Sequence, residues 1–182
     1  MRILFDFDEK KCSACGACAV ACMDQNDIDI PGGQQPYRRV YQLERGGRFV
    51  SLSIACMHCS DAPCADICPV GCLYRDADTG LVLYDTANCV GCRACFRACP
   101  YGAPTFRPAE DARRMRMEKC HGCLARIEAG LTPACVRACP TGALTWRRAE
   151  DGAAPRAAAL FDEWRDILRP ADATGNRKET RT

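Results

Sequence analysis

Apolar and acidic residues alternate over residues 3–7 (ILFDF), which predicts a short strand. The segment AVACMDQ, residues 19–25, predicts one or two helical turns. Residues 24–36 are polar, contain Pro31-Gly32-Gly33 and Pro36, and read as a loop. Residues 38–43 (RRVYQL) and 48–54 (RFVSLSI) flank Glu44-Arg45-Gly46-Gly47, a β-hairpin signal. A second hairpin is predicted where 73–75 (LYR) and 81–84 (LVLY) bracket Asp76-Ala77-Asp78-Thr79-Gly80. Residues 101–113, with Pro104 and Pro108, read as irregular. Short strands are predicted at 114–118 (RMRME) and 143–147 (ALTWR). Leu160, Phe161, Trp164, Ile167 and Leu168 fall at helical spacing over 157–168, and Pro170 ends that helix. The polar tail, 170–182, is predicted to be disordered.

These elements are short, and the periodicity leaves the seventeen cysteines unexplained. Sixteen of them fall in four groups of four. The third group is the most compact: CVGCRACFRACP places Cys89, Cys92, Cys95 and Cys99 at spacings of x2, x2 and x3, closed by Pro100. That is the bacterial spacing for a 4Fe–4S cluster. Three thiolates three residues apart wrap a loop around a cubane. The fourth lies a helical turn further on and points to the other side. The first group, Cys12, Cys15, Cys18 and Cys22, has the same spacing but is followed by Met23. The second, Cys56, Cys59, Cys64 and Cys68, has two residues inserted in its middle gap and ends on Pro69. The fourth, Cys120, Cys123, Cys135 and Cys139, widens that gap to eleven and ends on Pro140. An internal repeat of this kind settles the architecture before propensity does. Four 4Fe–4S clusters are the direct implication.

Composition sharpens this picture. The hydrophobic content of 48% counts those cysteines, so the aliphatic and aromatic core is modest for 182 residues. Metal is the expected substitute, since site formation and folding are coupled. An odd cysteine count and short C-x2-C loops argue against a disulfide scaffold. The start, MRILFDFDEKKC, has its apolar run broken by Asp6 and Asp8 and shows no signal-peptide organisation. This predicts a cytoplasmic or membrane-associated protein that is exported only with a partner, and thiols kept reduced for metal. No run is long enough for a membrane span. A formal net charge of +2 predicts no nucleic-acid partner. There is no P-loop, no G-x-G-x-x-G fingerprint, no Ser–His–Asp set and no C-x3-C-x2-C radical motif, so bond chemistry is not expected here and no catalytic residue is assigned.

A zinc-stabilised interaction module is the rival. Zinc takes two C-x2-C pairs per tetrahedral site, and the C-x2-C-x2-C run followed by C-P suits a cubane better. Cys72, the odd thiol, is expected to be a small buried side chain rather than an alternative ligand. His58 and His121 lie inside groups whose four thiol places are filled, and are expected to pack or hydrogen-bond near sulfur. Arg93, Arg97, Arg107, Arg113, Arg114, Arg116, Arg126 and Arg137 crowd the second half. They form a solvated surface, offset cluster charge, or face a partner.

With CMHCSDAPCADICP and CVGCRACFRACPYGAP, residues 3–147 resemble the four-cluster iron–sulfur B subunits of molybdopterin oxidoreductases, the dimethyl sulfoxide reductase type. The resemblance implies an α+β fold of two interleaved bacterial-ferredoxin-like modules, each holding two 4Fe–4S clusters, with short helices and β-hairpins. Residues 1–50 plus 105–150 would form the first module and 51–104 the second, with a C-terminal helix at 151–169. It also implies nested ligand sets: Cys12, Cys15 and Cys18 with Cys139; Cys120, Cys123 and Cys135 with Cys22; Cys56, Cys59 and Cys64 with Cys99; Cys89, Cys92 and Cys95 with Cys68. Spacing alone leaves sequential pairing equally open. The implied role is electron transfer in anaerobic respiration, between a large molybdenum- or tungsten-pterin catalytic subunit and either a quinone-linked membrane anchor subunit or a soluble redox partner. The alternative in the redox class is a polyferredoxin-type subunit of a hydrogenase or formate dehydrogenase complex.

Overall fold

The structure, a computed structural model, describes residues 2–109, 115–150 and 155–168. It is an α+β protein in which β-strands form antiparallel pairs and short helices carry cysteines. Strand β1 (Arg2–Phe7) pairs with the last strand, β8 (Leu144–Ala149), in the register Arg2↔Ala149 to Phe7↔Leu144. The start and end of the cysteine-bearing region are thereby clamped together. Between them run three local hairpins: β2 (Arg39–Arg45) with β3 (Arg48–Ile54), β4 (Leu73–Arg75) with β5 (Val82–Tyr84), and β6 (Thr105–Pro108) with β7 (Met115–Glu118). The helices are α1 (Ala17–Gln25), α2 (Pro63–Asp66), α3 (Ala94–Ala98), α4 (Leu124–Glu128), α5 (Ala134–Arg137), α6 (Ala158–Glu163) and α7 (Arg165–Leu168). Cysteine groups and hairpins therefore alternate along the sequence.

The β2–β3 turn is only Gly46-Gly47, because Arg45 and Arg48 already pair across the strands. Residues 105–108, expected to be irregular, form a strand. Pro104 and Pro108 are tolerated there because β6 has a neighbour on one side only, and an edge strand can lack ladder donors. Arg114, placed in a strand by the sequence, lies outside the described residues, as does the 170–182 tail. The expected C-terminal helix is two helices, with Trp164 at the break (φ −106°, ψ 13°). The break lets Phe161, Trp164 and Leu168 enter one core while Asp162 accepts a hydrogen bond from the Tyr101 hydroxyl (2.7 Å) and Asp166 takes a bidentate contact from Arg45.

That core packs Phe7, Val50, Leu52, Ile54, Tyr101 and Leu144 against the C-terminal helices, with Phe7 stacked on Phe161 at 5.8 Å. A smaller one gathers Leu73, Val82 and Met117, and a third Ile3, Leu81 and Ile127. Cysteines are part of the first two: Cys18, Cys99 and Cys135 in one, Cys64, Cys72 and Cys95 in the other. One buried carboxylate fastens the two ends of the fold. Asp6 on β1 accepts from Arg147 Nε on β8 (2.7 Å) and from the Arg156 amide (2.8 Å), tying the clamp to the approach to α6. Charged hydrogen bonds of this kind contribute roughly 1.5–3 kcal/mol each.

Candidate metal centres

Each helix that carries a pair of cysteines presents them about one turn apart. Residues i and i+4 lie on the same helical face at successive levels, so one helix and its cap reach two cavities. On α1, Cys18 lines a first cavity and Cys22 another. On α5 and the turn after it, Cys135 and Cys139 reach the same two in the opposite order. Helices α2 and α3 repeat this with Cys64 and Cys68, Cys95 and Cys99.

Four cavities result, each lined by at least four cysteines as a repeated device should be. Cavity I is lined by Cys12, Cys15, Cys18 and Cys139. Cavity II is lined by Cys22, Cys120, Cys123 and Cys135. Cavity III is lined by Cys56, Cys59, Cys64 and Cys99. Cavity IV is lined by Cys68, Cys89, Cys92 and Cys95, with Cys72 as a fifth thiol. Among the described residues, no three of His, Cys, Asp or Glu converge tightly enough to hold a single metal ion. Four thiols lining one cavity without converging on a single-ion site suit a cubane better than zinc.

The C-x2-C loops share a backbone device. The residue before the second cysteine has positive φ in all four: Ala14, His58, Gly91 and Gly122. Such strain concentrates at functional sites, and left-handed turns aim successive N–H groups into an anion-binding concavity. The Gly122 amide duly donates to Cys120 Sγ at 3.4 Å. Gly91 is the tightest of these positions. A Cβ there would lie 2.4 Å from the Met115 carbonyl oxygen, and the loop is held to β7 by the Met117 amide donating to Cys89 Sγ (3.3 Å). Gly91→Ala is expected to cost about 2–3 kcal/mol of stability from backbone strain and overpacking, lowering Tm by about 4–12 °C, and to lower bound iron by about one cluster, roughly four atoms. Calorimetry and iron analysis check it; unchanged values would show that the loop has room.

A second device was missed in the sequence. Three of the fourth cysteines open a C-P-x-G turn: Cys68 to Gly71, Cys99 to Gly102 and Cys139 to Gly142. The glycines have positive φ, which folds the following amides back onto sulfur. Cys72 N donates to Cys68 Sγ at 3.2 Å and Ala103 N to Cys99 Sγ at 3.3 Å. Burial works against ionisation of Cys68, yet the amides of Leu73, Val70, Cys72 and Gly71 hold its pKa below the usual thiol value. Cys139 is lowered in the same way, against burial, by Leu144, Thr141 and Ala143. Cys22, which no such turn follows, is pushed up to about 12 by burial and then by Cys135 and Cys123, with Arg38 opposing. Asn26 stands in for the turn, its Nδ2 reaching Cys22 Sγ at 3.6 Å, and His121 Nε2 orients Asn26 through Oδ1 at 2.7 Å.

His121 thus acts near sulfur through Asn26. His58 is buried; its Nδ1 accepts from the Val82 amide (3.0 Å), and burial followed by the Lys119 charge keeps it neutral. Cys72 is 1% exposed and pushed up to about 12, by burial first and then by Cys89 and Cys68. None of the described second-half arginines is buried: Arg107 pairs with Glu118, Arg126 bonds Gln25 and the Thr132 carbonyl, and Arg93 lies over Phe106 at 5.5 Å. Arg113 and Arg114 lie outside the described residues. The enclosed cations are Arg2, Arg38 and Lys119, which spacing did not flag, and of these Arg38 and Lys119 line cavities. The thiols fit a multivalent cation group. Burial and then mutual repulsion push Cys59 to about 12 and Cys64 to about 11, so these two ionise together only when positive charge is placed beside them.

The cavities stand in sequence. Cavities I and II share α1 and α5. Cavities III and IV share α2 and α3, and Lys119, which lines cavity III, donates to the carbonyl of Cys120 of cavity II. Their order is therefore I–II–III–IV. The two exposed cysteines, Cys15 and Cys92, belong to the two end cavities.

Residues 48–149 match the 4Fe-4S dicluster domain family. Over 125 residues the protein is 46% identical to the formate dehydrogenase iron-sulfur subunit of Wolinella succinogenes, covering 67% of this sequence and 60% of that one. Over 143 residues it is 38% identical to the B subunit of the anaerobic dimethyl sulfoxide reductase of Haemophilus influenzae, covering 71% and 65%. It is 37% identical over 133 residues to a thiosulfate reductase electron transfer subunit of Salmonella typhi, covering 70% and 66%. The matches thus span about three fifths to two thirds of the length of these relatives. The cofactors of this protein are 4Fe–4S clusters. No described helix is long and apolar enough to cross a membrane.

Proposed function

Since the protein belongs to the 4Fe-4S dicluster domain family, we propose that it is the electron-transfer subunit of an oxidoreductase complex. It relays electrons between a molybdenum- or tungsten-pterin catalytic subunit and a quinone-linked membrane subunit or soluble redox partner, with no catalysis of its own. The observation that carries this is the row of four cavities with an exposed cysteine at either end. The names of the three relatives, all subunits of oxidoreductases, support it.

The ligand sets follow the cavities: Cys12, Cys15, Cys18 and Cys139; Cys22, Cys120, Cys123 and Cys135; Cys56, Cys59, Cys64 and Cys99; Cys68, Cys89, Cys92 and Cys95. Pairing of β1 with β8 supports one module built from 1–50 and 105–150, enclosing a second at 51–104. When bound, each 4Fe–4S cluster supplies a one-electron couple whose potential depends on charge, hydrogen bonds and exposure. The protein's residues supply those three controls. The amides of Cys72, Ala103, Met117 and Gly122 donate to ligand sulfurs and favour the more negative, reduced state. Apolar side chains such as Phe7, Val40 and Leu144 around cavity I restrict water. Thiols shared along single helices keep neighbouring cavities close, so that no large motion is needed for transfer.

The experiment is co-purification. Tagged protein from its native host is expected to bring down a large pterin-containing subunit, and that partner's oxidant is expected to reoxidise the reduced clusters. Isolation with a hydrogenase instead, free of pterin, would overturn the assignment of partner.

A further inference from the structure

Lysine and arginine are almost never fully enclosed unless paired with an anion. Three are enclosed here: Arg2 is 1% exposed, Arg38 4% and Lys119 0%. Arg2 donates to Ser60 Oγ and to the His58 carbonyl and lines none of the four cavities, whereas Arg38 and Lys119 do line them. Neither Arg38 nor Lys119 meets a carboxylate among the described residues. Arg38 donates through Nη1 to the Ser53 carbonyl (3.2 Å) and to Ser53 Oγ (3.1 Å), while its Nε is buried without a partner. Ser53 Oγ in turn lies 3.2 Å from Cys18 Sγ, a wall of cavity I, and Arg38 itself lines cavity II. Lys119 donates through Nζ to the carbonyls of Val82 and of Cys120 (2.9 Å), and sits 5.6 Å from the Tyr84 ring centroid. It lines cavity III and is the immediate neighbour of Cys120 in cavity II. Hydroxyl and carbonyl dipoles offset only part of the cost of enclosing a full charge. Among the described residues, the anionic groups these cations face are the cysteine sulfurs.

We propose that Arg38 and Lys119 are fixed counter-charges set at two successive junctions of the row, Arg38 between cavities I and II and Lys119 between II and III, and that each raises the reduction potentials of the clusters on either side of it. This rests on the electron-transfer assignment above. The physical reason is that reduction adds a negative charge to a group already anionic, inside a low-dielectric interior where a nearby cation is weakly screened. The pattern is specific. Cavity II adjoins both cations, cavities I and III one each, and cavity IV neither. The cluster in cavity II therefore gains most.

Redox titration of the purified protein, followed by electron paramagnetic resonance with iron counted in the same samples, tests this. Arg38→Met is expected to shift the reduction equilibrium of the clusters in cavities I and II at least tenfold toward the oxidised form, about 59 mV for a one-electron couple. Lys119→Met is expected to do the same in cavities II and III. One of the four centres moves in both variants and one in neither. Arg38→Lys keeps the charge and restores the wild-type values. Full iron content with unmoved potentials overturns the counter-charge role and leaves the electron-transfer assignment intact. Wild-type protein without reducible iron overturns that assignment instead. Should Arg38→Met fail to take up iron, Arg38→Lys decides: assembly with wild-type potentials supports the charge, and failure shows that shape was the requirement.

Discussion

Stripping iron from the purified protein with a chelator under oxidising conditions is expected to abolish the fold, with loss of near-ultraviolet circular dichroism and of any cooperative thermal transition. Among the described residues every sheet is a strand pair, and the longest helix has nine residues. Isolated hairpins and helices of that length are marginal in water. Two of the three apolar cores are partly built from the thiols that line the cavities. Without a cation among them, those thiols line cavities that nothing fills and contribute little to the cores. Structural metal sites are worth on the order of 10–16 kcal/mol in small zinc domains, comparable with the roughly 5–15 kcal/mol that separates a folded domain from its unfolded state. Iron-free protein that kept its spectrum and melted cooperatively would show that the apolar cores suffice.

Replacing Cys99 by Ala is expected to damage the cluster whose other thiols are Cys56, Cys59 and Cys64. Cys99 follows Cys92 and Cys95 in one compact run, so sequential pairing would make it a ligand beside them. In the fold, Cys99 ends α3 and lines cavity III, while Cys95, one turn earlier, lines cavity IV. The variant is expected to lose between one and about four irons, leaving a three-iron or absent centre. A double variant separates the pairings, because thiols of one site act as a unit and their losses do not add. Cys56→Ala with Cys99→Ala is expected to lose no more than one cluster. Cys89→Ala with Cys99→Ala is expected to lose two. The reverse result would establish sequential pairing.

The hairpins were legible because alternation and Gly-Gly or Asp-rich turns are local signals, and β2–β3 and β4–β5 formed where they were read. Strand β6 was not, since Pro104 and Pro108 read as breakers until its single-partner edge position is known. The β1–β8 clamp joins residues 2 and 149, a separation at which no periodicity speaks. For the metal centres, the grouping of sixteen thiols was plain from spacing, whereas which group lies beside which depends on that clamp. Ser53, Asn26 and Arg38 act through contacts between distant segments and leave no local trace. The C-P-x-G turns were different: the repeat was visible at Cys68, Cys99 and Cys139, and attention to Pro alone hid the glycine that turns amides toward sulfur. Lys119 sits beside a ligating position, but its enclosure involves a distant segment, β5, where Val82 supplies a carbonyl.

The most direct measurement is iron and acid-labile sulfide per molecule in anaerobically prepared protein, read together with the paramagnetic resonance of the dithionite-reduced state. The account predicts about sixteen of each and four reducible centres, four atoms per cluster. Far fewer irons, or no signal on reduction, would contradict it.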